Sequence, residues 1–257
     1  MAPAIESPLR NAHGSAALIL AHGAPAAPDG GQGKVHALAR ACEKALGKGW
    51  TVAGASLAAD GALGQALAAL PASAPLWVYP FLMAKGWFAR VEIPRCLSAA
   101  GASAYTMLPP FGLEPALHRL CGQRAGDAAA TAGHAPGATT LILAAHGAAQ
   151  DPHACRSARL AAGYLRASKK FRAVVVGFVE GTPSLADAVR VDGPALCLPF
   201  FASRAGHVAR DLPRALAKGG FAGVLLPPIG ADREAPRIIA RTLARAQGPS
   251  LQGGHGW

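Results

Sequence analysis

Two stretches of the chain nearly repeat one another: residues 18–23 read LILAHG, and residues 141–147 read LILAAHG. Each is a short apolar run that ends in a histidine and a glycine, a pattern typical of a buried strand. The two histidines, His22 and His146, lie 124 positions apart in a chain of 257 residues. A repeat of about half the chain predicts two similar units of ordinary domain size.

Further motifs recur in the same order. The pairs are PF at 80–81 and 199–200, GWFAR at 86–90 and GHVAR at 206–210, PR at 94–95 and 213–214, and LPPFG at 108–112 and LPPIG at 226–230. These pairs are offset by 118 to 120 residues, so the loops differ in length by only a few residues. The copies differ most visibly where Trp87 in the first half corresponds to His207 in the second.

The composition fits a globular chain with two cores, since 51% of residues are hydrophobic and 15% are charged. The five cysteines are scattered and form no C-x-x-C pair, and the sequence shows neither a targeting pattern nor a long apolar run. We therefore expect a cytoplasmic protein that does not enter a membrane. The net charge of +11 attracts polyanions. Because the basic residues are dispersed and no nucleic-acid motif occurs, we expect a small polycarboxylate rather than nucleic acid as the partner.

Strands alternate with helices in both halves, which predicts an α/β protein of two Rossmann-like lobes, each with a four-stranded parallel sheet flanked by helices and with a cleft between them. The predicted strands are residues 17–21, 51–57, 75–79 and 103–107 in the first half and 140–145, 172–179, 195–198 and 222–226 in the second. The predicted units are an N-terminal lobe at 1–124, a linker at 125–139, a C-terminal lobe at 140–247 and a loose tail at 248–257.

Three metal-binding residue types follow neighbouring strands of the second half. His146 ends the first strand, Glu180 follows the second, and His207 lies in the loop after the third. Ligands of parallel sheets bind beyond the carboxyl ends of the strands, and imidazole with carboxylate suits a divalent transition metal. We therefore predict a metal site in the second half, although a lone histidine is more often an ordinary loop or core residue.

The first half retains His22 but has Ala58 and Trp87 where the second half has Glu180 and His207. The joint loss of two candidate ligands indicates a degenerate site, the alternative being drift at positions that never mattered. Nucleotide chemistry is not expected, because the glycine-rich residues 29–34 lack the phosphate-loop spacing and no G-x-G-x-x-G opens a helix after the first strand of either half. No G-x-S-x-G motif of a hydrolase occurs either.

The second half resembles the class II tetrapyrrole chelatases, and most closely the sirohydrochlorin cobaltochelatase and ferrochelatase group. The motifs that carry the resemblance are LAAHG at 143–147, FVEGTPS at 178–184, PFF at 199–201, GHV at 206–208 and DLP at 211–213. The resemblance implies two pseudo-symmetric lobes around a cleft for a planar macrocycle. By matching position, it also implies that His146 and His207 bind the metal together with Glu180.

The same resemblance implies ATP-independent insertion of Co²⁺ or Fe²⁺ into sirohydrochlorin, in cobalamin or siroheme biosynthesis. Because the repeat already places both halves in one chain, we expect a monomer. Nickel also suits such ligands. Candidate contacts to the macrocycle's carboxylates are Lys85, Arg90, Arg204 and Arg210, each of which could instead be a solvent-facing charge. Trp87 and Phe200, with their neighbours Phe88 and Phe201, are candidates for lining the macrocycle or, equally, for core packing.

Insertion must remove two pyrrole N–H protons, and a histidine or Glu180 is the natural acceptor. Because only unprotonated imidazole binds a metal, activity is predicted to fall as the pH drops through the histidine range. The alternative function is a carrier that binds a tetrapyrrole or a metal without catalysing insertion. Such a carrier would retain the basic cleft but would not accelerate metal insertion over the uncatalysed rate.

Overall fold

The computed structural model describes residues 14–23, 28–148, 151–203 and 207–248. Side chains at 28–29, 152 and 207–209 are not described, so these helical positions are known by their backbone alone. The predicted contact Arg204 and nearly all of the predicted tail at 248–257 lie outside the described residues.

Eight parallel strands form two separate four-stranded sheets. The first sheet has the order β2-β1-β3-β4 and the second has the equivalent order β6-β5-β7-β8. The strands are β1 Ser15–Ala21, β2 Trp50–Ser56, β3 Leu76–Pro80, β4 Thr106–Met107, β5 Thr140–Ala145, β6 Ala173–Phe178, β7 Ala195–Pro199 and β8 Val224–Leu225. The predicted fold of two α/β lobes with parallel sheets is thereby confirmed.

The histidine-bearing repeats form the second strand in each sheet, between two hydrogen-bonded neighbours. Every residue of β5 is buried, as are all residues of β1 except the last. Strands covered by helices on both faces need this continuous apolar character. The strand ends that carry His22 and His146 are therefore set by buried, fully paired backbone.

Helices connect the strands and cover both sheets. They are α1 Pro28–Leu46, α2 Ala62–Ala68, a π-helical turn Phe88–Glu92 that continues into α3 Ile93–Ala99, α4 Pro115–Thr131, α5 Pro152–Ala167, α6 Leu185–Ala188, α7 His207–Gly219 and α8 Ala235–Gln247. Short 3₁₀ turns occupy Phe111–Leu113, Pro136–Ala138 and Ile229–Ala231. Within the described ranges, no helix is both long and apolar enough to cross a membrane.

The two halves exchange their last helices. Helix α4 of the first half packs against α5 and β7 of the second, while α8 of the second half packs against α1. One hydrophobic cluster accordingly contains buried residues from both halves. An ion pair joins the exchanged segments, with Arg124 Nε 2.5 Å and its Nη2 3.0 Å from the carboxylate oxygens of Asp232.

This exchange changes the interpretation of residues 125–139, which the sequence predicts to be a linker. Helix α4 continues through Thr131, and Ala125 and Ala129 are fully buried. An alanine-rich segment without large side chains has little apparent amphipathicity, yet alanine is the strongest helix former. Small residues also allow close packing, as at Gly122, where an added Cβ would lie 3.1 Å from Leu165 of α5.

A buried histidine on α4 makes the stability of this packing depend on pH. His118 is buried, its Nε2 lies 3.0 Å from the carbonyl oxygen of Gly112, and burial lowers its pKa despite that hydrogen bond. The unfolded chain therefore binds a proton at higher pH than the folded one, and stability is lost as pH falls below about 6.5. We expect a loss of up to about 1.4 kcal/mol per pH unit from this residue.

Urea unfolding between pH 7.5 and pH 5.5 tests this expectation. His118→Gln should remove part of the acid-side loss of stability, because glutamine can still donate to Gly112 but does not gain a charge. His134, an exposed residue just after α4, gives the matched control in His134→Gln. Equal pH dependence of all three proteins would contradict a role for His118.

Candidate metal centre

His146 and Glu180 lie together at the carboxyl ends of neighbouring strands β5 and β6. Beyond the strands the ladder continues, with the Val179 amide donating to the Ala145 carbonyl at 2.9 Å and the Glu180 amide donating to the His146 carbonyl at 2.7 Å. The side chains also approach, with 4.0 Å between His146 Nδ1 and Glu180 Oε2. The structure thus brings together two of the three predicted ligands.

Both side chains are open to a ligand. The side chain of His146 is 39% exposed and that of Glu180 is 57% exposed. Their backbones are hydrogen-bonded to one another, and His146 Nδ1, the atom nearest to the Glu180 carboxylate, is itself buried from solvent. A fixed backbone that carries two partly exposed side chains suits a site for an exchanging metal.

Gly147 allows the two strand ends to approach so closely. Its φ of +75° is in the left-handed region, and an added Cβ would overlap the carbonyl oxygen of Glu180 and lie 3.0 Å from Cβ of Phe178. A residue with a side chain would therefore need both an unfavourable backbone conformation and displacement of the Glu180 loop. The glycine that follows the histidine in the repeat is a requirement of this local geometry.

Arg159 of α5 supports the Glu180 loop from behind. Its Nη2 donates to the carbonyl oxygen of Thr182 at 3.2 Å, and its guanidinium lies 5.6 Å from the centre of the Phe178 ring. Sequence reasoning did not identify this residue. The available signal was weak, since Arg159 is one of many dispersed arginines and its partner lies 23 residues away.

The third predicted ligand, His207, is the first residue of α7. This helix follows β7, which pairs with β5 on the side opposite to β6, so the topology brings the start of α7 to the same end of the sheet. The side chain of His207 lies outside the described residues. Among the side chains that the structure does describe, no three His, Cys, Asp or Glu residues are grouped closely enough to hold a metal ion.

The equivalent position in the first half has different surroundings. The His22 ring stacks on Phe88 with 4.1 Å between ring centres, and its Nδ1 lies 3.0 Å from the carbonyl oxygen of Gly23. Ala58, which corresponds to Glu180, offers no side-chain ligand. The first-half copy therefore retains the strand-end histidine within a stacking contact and lacks the carboxylate.

The candidate macrocycle contacts divide into exposed and buried residues. Lys85, Arg90, Arg210 and Trp87 are exposed, and Arg90 lies 3.7 Å from the carboxylate of Asp151. Phe200 is only 1% exposed and packs in the core shared by the two halves. Its burial argues against the predicted contact with a macrocycle and supports the alternative of core packing.

A family model described as CbiX matches residues 140–246, which include β5, β6 and α7. The solved structure of CbiX, the terminal enzyme for biosynthesis of siroheme in denitrifying bacteria, is 40% identical to this chain, with a TM-score of 0.81. The match covers 90% of this chain and 98% of that structure.

The chain belongs to the CbiX family. This membership confirms the prediction of a class II chelatase, and with it the assignment of the protein to the enzymes of that class. Because the structural match covers nearly all of both chains, the family resemblance extends over both lobes and is not confined to the second half.

More distant structures share the fold of this CbiX-family chain. SirB from Bacillus subtilis with Fe³⁺ is 16% identical over 91% of this chain and 96% of its own, with a TM-score of 0.71. The sirohydrochlorin chelatase SirB from subspecies spizizenii, in complex with cobalt, is 17% identical over 93% and 98%, with a TM-score of 0.65. At such identities the likeness shows the fold alone. No curated protein sequence matches the chain significantly.

Proposed function

We propose that this CbiX-family protein inserts a divalent metal, Co²⁺ or Fe²⁺, into sirohydrochlorin without ATP, in siroheme or cobalamin biosynthesis. The observation that carries the proposal is the approach of His146 and Glu180 at the ends of β5 and β6, with 4.0 Å between Nδ1 and Oε2. The similar CbiX is described as the terminal enzyme of siroheme biosynthesis, which supports a tetrapyrrole as the substrate. In this proposal the metal is a substrate, with His146, Glu180 and His207 as its ligands.

The separation of the two polar atoms suits a shared metal after a small adjustment. Two ligand bonds of about 2.1 Å at a tetrahedral angle place the donor atoms about 3.4 Å apart. The observed 4.0 Å therefore has to shorten by about 0.6 Å. The exposed Glu180 side chain can supply this movement by rotating, because its carboxylate is not buried against the core.

The reaction exchanges two protons for one metal ion. As the metal passes to the ring nitrogens, both pyrrole N–H protons leave. The two negative charges that remain on the ring nitrogens are neutralised by the divalent metal. A carboxylate or a neutral imidazole that has released the metal can accept a proton. Glu180 and His146 therefore serve first as ligands and then as proton acceptors, and solvent contact through their exposed sides returns the protons to bulk water.

The charge of the protein favours this class of substrate. Sirohydrochlorin carries several carboxylates, and a chain with a net charge of +11 attracts such a molecule to its surface. Exposed Lys85, Arg90 and Arg210 are available for carboxylate contacts, arginine being suited to two parallel hydrogen bonds. Trp87, which is exposed on the first-half loop, is available to lie against the ring.

A chelation assay without nucleotide tests the proposal. Purified protein is mixed with sirohydrochlorin and Co²⁺, Fe²⁺ or Ni²⁺ in turn, and the absorbance change is compared with the uncatalysed reaction. Glu180→Gln should lower the catalysed rate on the order of 100-fold, because amide oxygen is a poor ligand and cannot accept the proton. Asp187→Asn, at an exposed carboxylate of α6 in the same lobe, is the matched control and should change the rate little.

The outcome also separates an enzyme from a carrier. A carrier would bind sirohydrochlorin or metal at equilibrium, yet metal insertion would proceed at the uncatalysed rate with every ion. Equal rates for the unmutated protein and Glu180→Gln would contradict the role of Glu180 even if insertion is catalysed.

A further inference from the structure

A single carboxylate joins the second lobe to the loop of the first lobe that contains Trp87. Asp151 Oδ2 accepts a hydrogen bond from the Trp87 backbone amide at 2.9 Å and lies 3.7 Å from Arg90 Nη2. Its other oxygen, Oδ1, accepts from the His153 amide at 2.9 Å and so caps the start of α5. Asp151 therefore caps α5 of one lobe and contacts both the backbone and a side chain of the other.

The two ends of this contact have functional neighbours. Asp151 follows the candidate ligand His146 by five residues, at the start of the helix that also carries Arg159. Trp87 occupies the repeat position of His207, where the first half has lost a candidate ligand. The contact thus connects the segment after the metal-binding strand with the degenerate copy of the metal-binding loop.

The chain repeat makes this contact one-sided. Pro152, the first residue of α5, corresponds to Pro28, the first residue of α1, at the same offset of 124 residues that relates the two histidines. Asp151 therefore corresponds to Ala27, and a methyl group cannot accept a hydrogen bond. The reciprocal side-chain bond, from the amide of residue 207 to position 27, is chemically impossible.

The local chemistry is suited to a lasting contact. Burial by itself would raise the pKa of Asp151, but the bonds from the His153 and Trp87 amides and the nearby Arg90 outweigh it and lower that pKa. The carboxylate is therefore ionised at neutral pH, and hydrogen bonds to a charged acceptor are stronger than neutral ones. Gly86 permits the approach, since an added Cβ would lie 3.1 Å from Asp151 Oδ2.

We propose that Asp151 is a positioning residue that holds the Trp87 loop of the degenerate lobe against the metal-binding lobe and so sets the wall against which the macrocycle is presented to His146. This inference rests on the proposed chelatase function. It assigns the first half a definite task, in which the lost metal site has become a fixed binding surface. Asp151 itself does not contact the metal or the ring in this proposal.

The main test is Asp151→Ser, which preserves helix capping but is too short to reach the Trp87 amide and has no charge for Arg90. We expect the Trp87 amide to exchange with deuterium at least about tenfold faster, because it loses one hydrogen bond to a charged acceptor. The KM for sirohydrochlorin should rise about tenfold, while kcat and the Kd for Co²⁺ in the absence of tetrapyrrole stay unchanged. Asp151→Asn has one acceptor oxygen for the two amides that Asp151 binds, so it can keep the bond to Trp87 only at the expense of the helix cap and should recover no more than part of the loss.

Gly86→Ala perturbs the same contact from the other side. As a single substitution, its added Cβ should press on the Asp151 carboxylate and raise KM. In the double variant with Asp151→Ser that clash disappears, so the added methyl group should have less effect on KM. Such non-additivity is expected only if both residues act through one contact. A thermal melt of each variant confirms that the comparison is made between folded proteins.

The proposal would be overturned if Asp151→Ser left the Trp87 amide as protected as before, or if that amide exchanged faster while KM stayed unchanged. A fall in kcat or a loss of Co²⁺ affinity at constant KM would also contradict it, because that pattern belongs to the metal site. Failure of the proposed function is recognised separately, as absence of metal insertion by the unmutated protein.

Discussion

Replacing His146 with alanine is expected to lower metal insertion at least about 100-fold, since it removes a proposed ligand and proton acceptor at once. The fold should persist, because the side chain is 39% exposed and the strand-end hydrogen bond to Glu180 uses the backbone carbonyl. The thermal midpoint should change by no more than a few degrees. His207→Ala should reduce activity to a similar extent if the side chain at the start of α7 is the partner ligand.

The chain contains its own control for this experiment. His22 follows β1 as His146 follows β5, but its ring stacks on Phe88, and Ala58 occupies the position that corresponds to Glu180. His22→Ala should therefore alter insertion no more than about threefold, through macrocycle affinity alone. Each variant is assayed for sirohydrochlorin turnover beside a thermal melt. Loss of activity in folded His22→Ala as complete as in His146→Ala would contradict a single working site in the second half.

The pairing of His146 with Glu180 could be anticipated from sequence because it follows from strand geometry alone. Two consecutive parallel strands that are neighbours in a sheet must end at the same edge, and β5 and β6 were recognisable from their apolar and β-branched residues. The last strand of the second sheet was less predictable. Residues 222–226 were predicted as a strand, whereas β8 comprises only Val224–Leu225, the two residues that pair with Leu196 and Cys197 of β7.

Contacts distant in sequence were beyond the reach of pattern reasoning. An apolar face predicts that a helix is buried but does not say against which lobe, so the exchange of α4 and α8 was not foreseen. Similarly, the hydrogen bond from the Trp87 amide to Asp151 joins residues 64 positions apart and has no signature in the sequence pattern. Phe200 was placed among residues that could line the macrocycle, and its burial depends on how the strand-end backbone turns its side chain.

Gly147→Ala is expected to damage stability and activity together. Alanine must adopt a φ near +75°, and its Cβ must displace the Glu180 carbonyl, so we expect destabilisation of about 1–3 kcal/mol. For a chain of this length, that corresponds to a fall of roughly 5 °C in the thermal midpoint. Because the displaced loop carries Glu180, insertion by the folded fraction should fall at least about tenfold.

The repeat separates these two effects. Gly23 has a φ of +79°, and an added Cβ would overlap the Ser56 hydroxyl and lie 2.8 Å from Cβ of Ala58, so Gly23→Ala should also destabilise the protein. The loop that it displaces carries alanine where Glu180 stands in the second half, so its folded fraction should retain near-normal turnover. Gly163→Ala, at an exposed position of α5 with open space around the glycine, should stabilise the protein slightly.

If Gly147→Ala and Gly23→Ala lowered turnover per folded molecule equally, the close approach of His146 to Glu180 would have no special part in catalysis. If Gly147→Ala alone lost turnover per folded molecule while the two variants melted at comparable temperatures, the close approach of His146 to Glu180 would be needed for catalysis. The loss would then belong to the strand end where Gly147 brings a histidine beside a carboxylate.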